Sequence, residues 1–254
     1  MFKKIRITIL LTILLIVAGN AWLTAIRTTE WHISLDVVIY PVNGDGSEKT
    51  SSYISSLNRD VFKPVAHFIA SEGERFHLEL REPLGVDLAP EVTLLPPTAP
   101  FGGGVLEVIW WSLKMRWWAW RVDTYEEPAD IRIFVLYYDP AVYNALGHSL
   151  GLKEGLLCLV KGFADSSLAS RNNVIIAHEM LHTLGATDKY DPRTEQPNFP
   201  SGYAEPERKP LYPQVMAEIM GGLVPVSEDR GWMPTGLDYT VVGPVTAGEI
   251  GWSD

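Results

Sequence analysis

The order of strand-like and helix-like segments constrains this chain more than any other feature of its sequence. Residues 33–42 and 131–138 are rich in β-branched and aromatic side chains, which is typical of buried strands. Apolar residues at spacings of three and four predict helices over residues 50–72, 105–121 and 168–184. Strands that alternate with helices favour an α/β (α+β) fold whose sheet is largely parallel.

The remaining segments are shorter or irregular. The alternation in Phe76-His77-Leu78-Glu79-Leu80 predicts a strand, and the Pro- and Gly-rich residues 83–104 predict a loop. Two short strands are expected within residues 145–163, and a short terminal helix is expected over residues 246–252. Six prolines predict a long loop from Asp191 to Pro213. We therefore expect one domain over residues 31–254, with a regular first half, a loop-rich second half and a cleft between them.

Composition and charge exclude several classes of protein. A hydrophobic content of 46% excludes a disordered chain. The first 30 residues carry +3 of the formal net charge of −10, so residues 31–254 carry −13. An acidic body argues against nucleic acid as a partner, because phosphate binding needs a basic surface. The single cysteine, Cys158, excludes an internal disulfide, and its apolar surroundings predict a small buried side chain.

The N-terminal residues 1–30 have the pattern of a targeting segment. Lys3, Lys4 and Arg6 precede an uncharged apolar run over residues 7–19. Cleavage after Ala21 would make this run a signal peptide. The apolar stretch continues to Ile26, however, so we favour a helical membrane anchor. Either interpretation predicts that the body lies outside the cytoplasm, anchored to the membrane or secreted.

The chemistry is concentrated at the end of the third predicted helix. His178 and His182 are four residues apart, so their rings leave the same helix face one turn apart. Two imidazoles in that position can bind one Zn²⁺. Glu179 lies about 100° further round the helix. It can flank the metal without binding it, which is where a general base must lie to take a proton from a metal-bound water.

The residues that follow supply a third metal ligand. Gly185 can adopt the left-handed conformation that ends a helix, so the chain can turn back toward the histidines. Asp188 can then approach the same ion through a carboxylate oxygen. Three protein ligands leave one position open for water, which is typical of catalytic rather than structural zinc. The predicted metal ligands are therefore His178, His182 and Asp188, and the predicted catalytic residue is Glu179.

The segment His178-Glu179-x-x-His182-x-x-Gly185-x-x-Asp188 resembles the extended zinc signature of the metzincin metallopeptidases. Most metzincins have histidine at the last place, and aspartate there resembles the snapalysin-like branch. The resemblance implies a twisted, mostly parallel sheet with an antiparallel edge strand, a long zinc-site helix and a loop-rich C-terminal half. It also implies a methionine turn beneath the metal, for which Met220 is the first candidate and Met216 the second.

The resemblance implies hydrolysis of a peptide bond. In this interpretation zinc polarises the carbonyl group, Glu179 is the general base, and an edge strand near residues 147–152 pairs with an extended peptide substrate. Tyr190 is a minor candidate for a hydrogen-bond donor to the transition state. Two alternatives stay open: a non-catalytic, zinc-stabilised binding domain of the cell envelope, and a zinc hydrolase of another amide. The intact Glu179 favours an enzyme, because a structural zinc site needs no base.

The helix predicted over residues 105–121 contains five tryptophans among three basic residues. Trp110 and Trp117 are seven residues apart, as are Trp111 and Trp118, so each pair repeats on one helix face. This pattern fits either a core helix with amphipathic edges or an interfacial helix that touches a membrane. The sequence leaves both interpretations open.

Overall fold

A five-stranded sheet organises the computed structural model, which describes residues 30–100, 104–152 and 155–253 and, before them, residues 6, 7, 11, 12, 15 and 19. The strand order is β2–β1–β3–β5–β4. Strands β1, β2, β3 and β5 are parallel, and β4 pairs antiparallel with β5 at one edge. The strands are β1 (Leu35–Asn43), β2 (Leu84–Leu88), β3 (Ile131–Tyr138), β4 (Leu150–Leu152) and β5 (Leu157–Phe163). The predicted α/β (α+β) class is confirmed, including the antiparallel edge strand.

Helices cover both faces of this sheet. One face forms the larger apolar core with α1 (Glu48–Ser56), α2 (Lys63–Arg75), α4 (Ala169–Leu184) and the short α5 (Pro244–Glu249). The other face packs against α3 (Val105–Val122), which buries Met115 and Trp118 against Tyr40 and Phe134. The strands are buried on both sides because both faces are covered, which explains their continuous apolar sequences.

The C-terminal part of the chain is mostly irregular, as predicted. It contains two two-stranded sheets, in which β6 (Ala217–Glu218) pairs with β9 (Thr240–Val241) and β7 (Val224–Pro225) pairs with β8 (Gly231–Trp232). A short 3₁₀ turn at Ile219–Gly221 directly follows β6. These elements place the chain after residue 217 against the end of α4.

The helix predicted over residues 50–72 is in fact two helices. Helix α1 ends at Ser56, and a 3₁₀ turn at Arg59–Phe62 leads into α2. The side chain of Asn58 accepts a hydrogen bond from the Asp60 amide, which caps this turn. Pro64 lies in the first turn of α2, where its missing amide costs nothing. The apolar spacing predicted helical structure correctly but did not reveal this break.

The strand predicted at residues 76–80 is wrong. Phe76 caps α2, His77 has a positive φ of 63°, and the Leu78 amide bonds the Gly73 carbonyl, so the segment ends the helix instead. The edge strand that follows α2 and pairs with β1 is β2, which lies inside the predicted loop 83–104. The position of β2 in the sequence depends on its pairing with the distant strand β1. Alternation of apolar and polar residues within one segment carries no information about such pairing.

The predicted membrane anchor is also overturned. In the part of the chain that the structure describes, no helix is both long enough and apolar enough to cross a bilayer. Most of residues 1–30, to which the signal or anchor was assigned, lie outside the described residues. The expectation of a membrane-anchored body is corrected accordingly.

Candidate metal centre and active site

The last two turns of α4 and the loop that follows them bring the three predicted ligands to one point. The Nε2 atoms of His178 and His182 are 3.1 Å apart. The Asp188 carboxylate oxygen Oδ1 lies 3.2 Å from Nε2 of His178 and 3.1 Å from Nε2 of His182. The three ligand atoms therefore form a nearly equilateral triangle.

This triangle has the dimensions of a metal site. An ion about 2.0–2.1 Å from all three atoms would make ligand–metal–ligand angles of about 100°, close to tetrahedral. The ion would lie to one side of the plane of the three atoms and keep a fourth position open. Two imidazoles and one carboxylate could thus hold a metal ion, and their donor chemistry suits zinc.

Backbone carbonyl groups orient both histidines for this purpose. Nδ1 of His178 lies 2.9 Å from the Ile219 carbonyl oxygen, and Nδ1 of His182 lies 2.9 Å from the Ala186 carbonyl oxygen. A carbonyl oxygen only accepts hydrogen bonds, so each Nδ1 is the protonated nitrogen. The Nε2 lone pairs then face the shared point, as metal ligation requires.

A left-handed turn at the end of α4 carries the chain back to Asp188. Gly185 has φ of 112°, and the amide of Ala186 bonds the Leu181 carbonyl oxygen at 3.0 Å. A residue with a Cβ atom would be strained in this conformation. The turn predicted at Gly185 is confirmed.

An ion pair between the buried Lys189 and the partly exposed Glu249 holds the loop on both sides of Asp188. Lys189 is 5% exposed, and its ammonium group donates to Glu249 at 2.6 Å and to the Thr187 carbonyl oxygen at 2.7 Å. The Glu249 carboxylate also accepts from the Thr187 amide at 2.9 Å and from its hydroxyl at 2.7 Å. The flanking residues Thr187 and Lys189 are thus fixed to helix α5, which leaves Asp188 little freedom to move away from the histidines.

Glu179 lies beside the ligand triangle and is 7% exposed. Burial raises the pKa of its carboxyl group, an effect that the neighbouring imidazoles and a hydrogen bond from the Gly151 amide oppose. Gly151 belongs to the edge strand β4, so this strand runs directly past the end of α4. A carboxyl group whose pKa is raised toward neutrality is suited to both taking and returning a proton.

The ionisable ligands influence one another strongly. Burial raises the pKa of Asp188, but its contacts with His178 and His182 outweigh this effect and hold the pKa well below its usual range. Burial lowers the pKa of His182, but its contacts with Asp188 and the Ala186 carbonyl group raise it overall. The metal-free cluster therefore favours a negative Asp188 carboxylate next to a His182 imidazole whose affinity for protons is raised.

Tyr190 is in contact with the ligand set. Its phenol donates a hydrogen bond to the Asp188 carboxylate, and its ring centroid lies 6.4 Å from that of His178. Burial and the Asp188 charge raise the pKa of this phenol to about 12, so it stays protonated at neutral pH. Tyr190 thus orients the aspartate ligand, and its role toward a substrate stays a prediction.

The two candidate methionines occupy different places. Met220 is completely buried in the 3₁₀ turn Ile219–Gly221, and the carbonyl oxygen of its neighbour Ile219 bonds Nδ1 of His178. The side chain of Met216 is partly exposed and lines a separate cavity near Pro64 and Asp238. Of the two, only Met220 is thereby linked to the candidate metal centre.

Sequence reasoning missed several residues that support this centre. The buried Glu218 carboxylate accepts hydrogen bonds from the Gly221 amide, the Gly243 amide and the Thr246 hydroxyl, which ties the 3₁₀ turn to α5. Burial raises the pKa of this carboxyl group, although these bonds oppose the increase. The sequence signal for Glu218 was an acidic residue in an apolar segment, two positions before the candidate methionine Met220. The Lys189–Glu249 pair, 60 residues apart, left no local signal.

Cys158 behaves as predicted. It is buried, burial raises the pKa of its thiol well above the usual value, and the thiol donates to the Glu179 carbonyl oxygen. It therefore packs behind α4 and is unsuited to act as a nucleophile.

Comparisons with known proteins leave the family open. No family model matches the sequence, and no curated protein matches it. The crystal structure of wild-type OgpA from Akkermansia muciniphila is similar with a TM-score of 0.40 and 10% sequence identity. The match covers 87% of this chain and 61% of that chain, so the present chain spans about three fifths of its length. The chemistry of the site therefore has to be inferred from its own geometry.

Proposed function

We propose that this protein is a zinc-dependent endopeptidase of metzincin-like type, with residues 31–254 as its catalytic domain. His178, His182 and Asp188 would hold the metal, and Glu179 would be the general base. The observation that carries this proposal is the triangle of ligand atoms, with sides of 3.1–3.2 Å, next to a buried carboxyl group. Structural zinc sites use four protein ligands, whereas three ligands and an adjacent acid fit a hydrolase.

Zinc bound at this point would supply Lewis-acid polarisation of a carbonyl group and a water molecule of lowered pKa. Glu179 would accept a proton from that water and deliver it to the nitrogen of the departing amine. The Gly151 amide would hold the carboxylate in place between these two proton transfers.

The edge strand β4 offers a place for an extended substrate. Strand β4 is terminal in the five-stranded sheet, so its outer edge has no paired strand among the described residues. A peptide could add to this edge through main-chain hydrogen bonds. Because Gly151 contacts α4, a peptide bound there would run close to Glu179 and the metal ligands. This arrangement favours an endopeptidase, since a strand-like substrate can extend in both directions.

Two alternative functions predict different experimental results. A zinc-stabilised binding domain would hold the metal and cleave nothing. A zinc hydrolase of another amide would cleave small acylated amines but not internal peptide bonds. Glu179 favours an enzyme over the first alternative, because burying a carboxyl group beside a purely structural metal is costly and serves no purpose there.

The test is metal analysis of the purified protein, combined with cleavage of a mixed peptide library with and without a chelator. We expect about one zinc per chain, and chelator-sensitive cleavage at internal peptide bonds. Glu179→Gln should retain the metal and lose activity by about 10²–10⁴-fold, the usual contribution of a general base. Glu74→Gln, at an exposed position on α2, is the matched control and should retain full activity.

Bound zinc without any peptide cleavage would favour the non-catalytic, zinc-stabilised binding domain. Cleavage of acylated amines alone would favour a zinc hydrolase of another amide. If Glu179→Gln bound zinc and retained full activity, its role as the general base would be wrong.

A further inference from the structure

Helix α3 has an outer face that is apolar along its whole length. Trp110 is 61% exposed, Trp117 is 57% exposed and Trp120 is 75% exposed. Aliphatic residues lie between the tryptophans, and Leu106 alone is 81% exposed. Exposed tryptophans are uncommon on a folded domain, and a contiguous group of them indicates an interaction surface.

The positions of these residues around the helix define one stripe. At 100° per residue, six exposed apolar side chains fall within an arc of about 100°. We call this surface the outer stripe of α3; it consists of Leu106, Ile109, Trp110, Leu113, Trp117 and Trp120. The opposite side of the helix carries Trp111, Met115 and Trp118, which are buried against the sheet. Helix α3 is therefore apolar on two opposite faces, and only the inner one is covered within the described part of the chain.

Basic residues border the outer stripe on both sides. Arg121 and Lys114 lie about 20–40° beyond one edge, and Arg116 lies about 20° beyond the other. The Lys114 ammonium lies 5.5 Å from the Trp110 ring centroid, and the Arg121 guanidinium lies 5.4 Å from that of Trp117. Glu107 is the only acidic residue of the helix, so α3 carries +2 in a chain with a formal net charge of −10.

We propose that the outer stripe of α3 docks onto an anionic lipid surface. A stripe of indole and aliphatic side chains with basic borders matches the boundary between acyl chains and negatively charged headgroups. The apolar side chains would enter the acyl region, while Lys114, Arg116 and Arg121 would reach the phosphates. The helix would lie parallel to the surface, and this contact needs no membrane-spanning segment.

Charge favours a lipid surface over a second copy of this chain as the binding partner of the outer stripe of α3. If two copies met through their outer stripes, the basic borders of both would be brought together. Such a pairing would place like charges at the edges of the interface, which is unfavourable. An anionic lipid surface instead supplies opposite charge to every basic residue of the border.

The test uses the full chain with a spin label on the outer stripe. Leu113→Cys is labelled with a nitroxide, since the native Cys158 is buried and will not react under native conditions. Val142→Cys, at a position 69% exposed that follows β3, is the matched control. Vesicles of phosphatidylcholine with phosphatidylglycerol are the probe. The accessibility of each label to oxygen and to a water-soluble nickel reagent gives its depth.

We expect the Leu113 label to lie about 5–10 Å below the headgroups and the Val142 label to stay in water. Replacing Lys114 and Arg121 by glutamine should weaken binding to anionic vesicles by about fivefold per charge, with little effect on phosphatidylcholine alone. Because the label reports the depth of α3 itself, attachment of the chain through another segment cannot produce this result.

A Leu113 label that stays in water on vesicle-bound protein would overturn the proposal, as would failure of the chain to bind anionic vesicles. Concentration-dependent spin–spin broadening without vesicles would assign the stripe to a second copy. Zinc binding and peptide cleavage do not enter this measurement, so its outcome is independent of the proposed enzymatic function.

Discussion

Lys189 is a buried cation on which the position of the candidate metal ligand Asp188 depends. Its ammonium group donates hydrogen bonds to two oxygen atoms of Thr187 and to the carboxylate of Glu249. Its backbone amide donates to the Met220 carbonyl oxygen at 2.8 Å. The residue next to Asp188 is thereby fixed to α5 and to the 3₁₀ turn that orients His178. A ligand held this way needs less ordering when the metal binds.

We predict that Lys189→Met weakens zinc binding by about 10–100-fold, the usual effect of losing a residue that supports a metal ligand. The variant also leaves the partly buried Glu249 without its cation, so it should lower the free energy of unfolding. Competition with a chromophoric chelator measures the zinc affinity. The exposed Lys209→Met is the control and should change neither quantity.

A double variant separates positioning from general stability. Lys189→Met with Glu249→Gln removes both charges, so much of the lost stability should return while the zinc affinity stays low. If the double variant regained normal zinc affinity, Lys189 would serve stability alone.

At the level of elements, the contact between β4 and α4 depends on Gly151. A Cβ atom at this position would lie 2.6 Å from the Glu179 carbonyl oxygen and 2.7 Å from Cβ of His182. Both distances are too short for any side chain, so the strand approaches the helix this closely only because residue 151 is glycine. The same close approach lets the Gly151 amide reach the Glu179 carboxylate.

Gly151→Ala should therefore push β4 away from α4 and displace Glu179. We expect peptide cleavage to fall by about 10–100-fold, since small displacements of catalytic groups have effects of this size. Zinc affinity should fall as well, because one of the two clashes is with Cβ of the candidate ligand His182. Gly104→Ala, where an added methyl group meets no atom within 4 Å, should cleave at the normal rate. Unchanged cleavage by Gly151→Ala would show that this contact does not position the base.

The sequence was sufficient where local chemistry decides the structure. Helical periodicity predicted α4, and Gly185 predicted where it ends, so His178, His182 and Asp188 could be assigned to one point. Contacts between distant residues were not predictable. The Ile219 carbonyl that orients His178 belongs to the backbone and has no sequence signature. The position of β2 depends on pairing with β1, 49 residues away, and could not be read from local alternation.

At the level of the whole molecule, a metal ion would join α4 to the loop that α5 holds. Bound metal should therefore stabilise the fold. At free zinc about 100–1,000 times the dissociation constant, the gain is about 3–4 kcal/mol. For a chain of this size, that gain corresponds to an increase in Tm of about 6–16 °C. Thermal unfolding with and without a chelator measures this difference, and an Asp188→Ala variant should show little of it.

This stabilisation should depend on pH in a defined direction. Zinc binds the neutral form of imidazole, so protons compete with the metal as pH falls. Burial lowers the pKa of His182, but the Asp188 contact raises it overall, so competition should begin at a higher pH than for an unperturbed histidine. The Tm difference between zinc-loaded and chelated protein should shrink as pH decreases toward 6. A difference that grew at acid pH would argue against imidazole ligands.

The central claim is that His178, His182 and Asp188 bind one metal ion together. A crystal of the zinc-loaded protein, measured on both sides of the zinc absorption edge, tests this directly. We predict one anomalous peak about 2.0–2.2 Å from Nε2 of both histidines and from a carboxylate oxygen of Asp188. A peak that lies elsewhere, or one that the two histidines bind while Asp188 points away, would contradict the account.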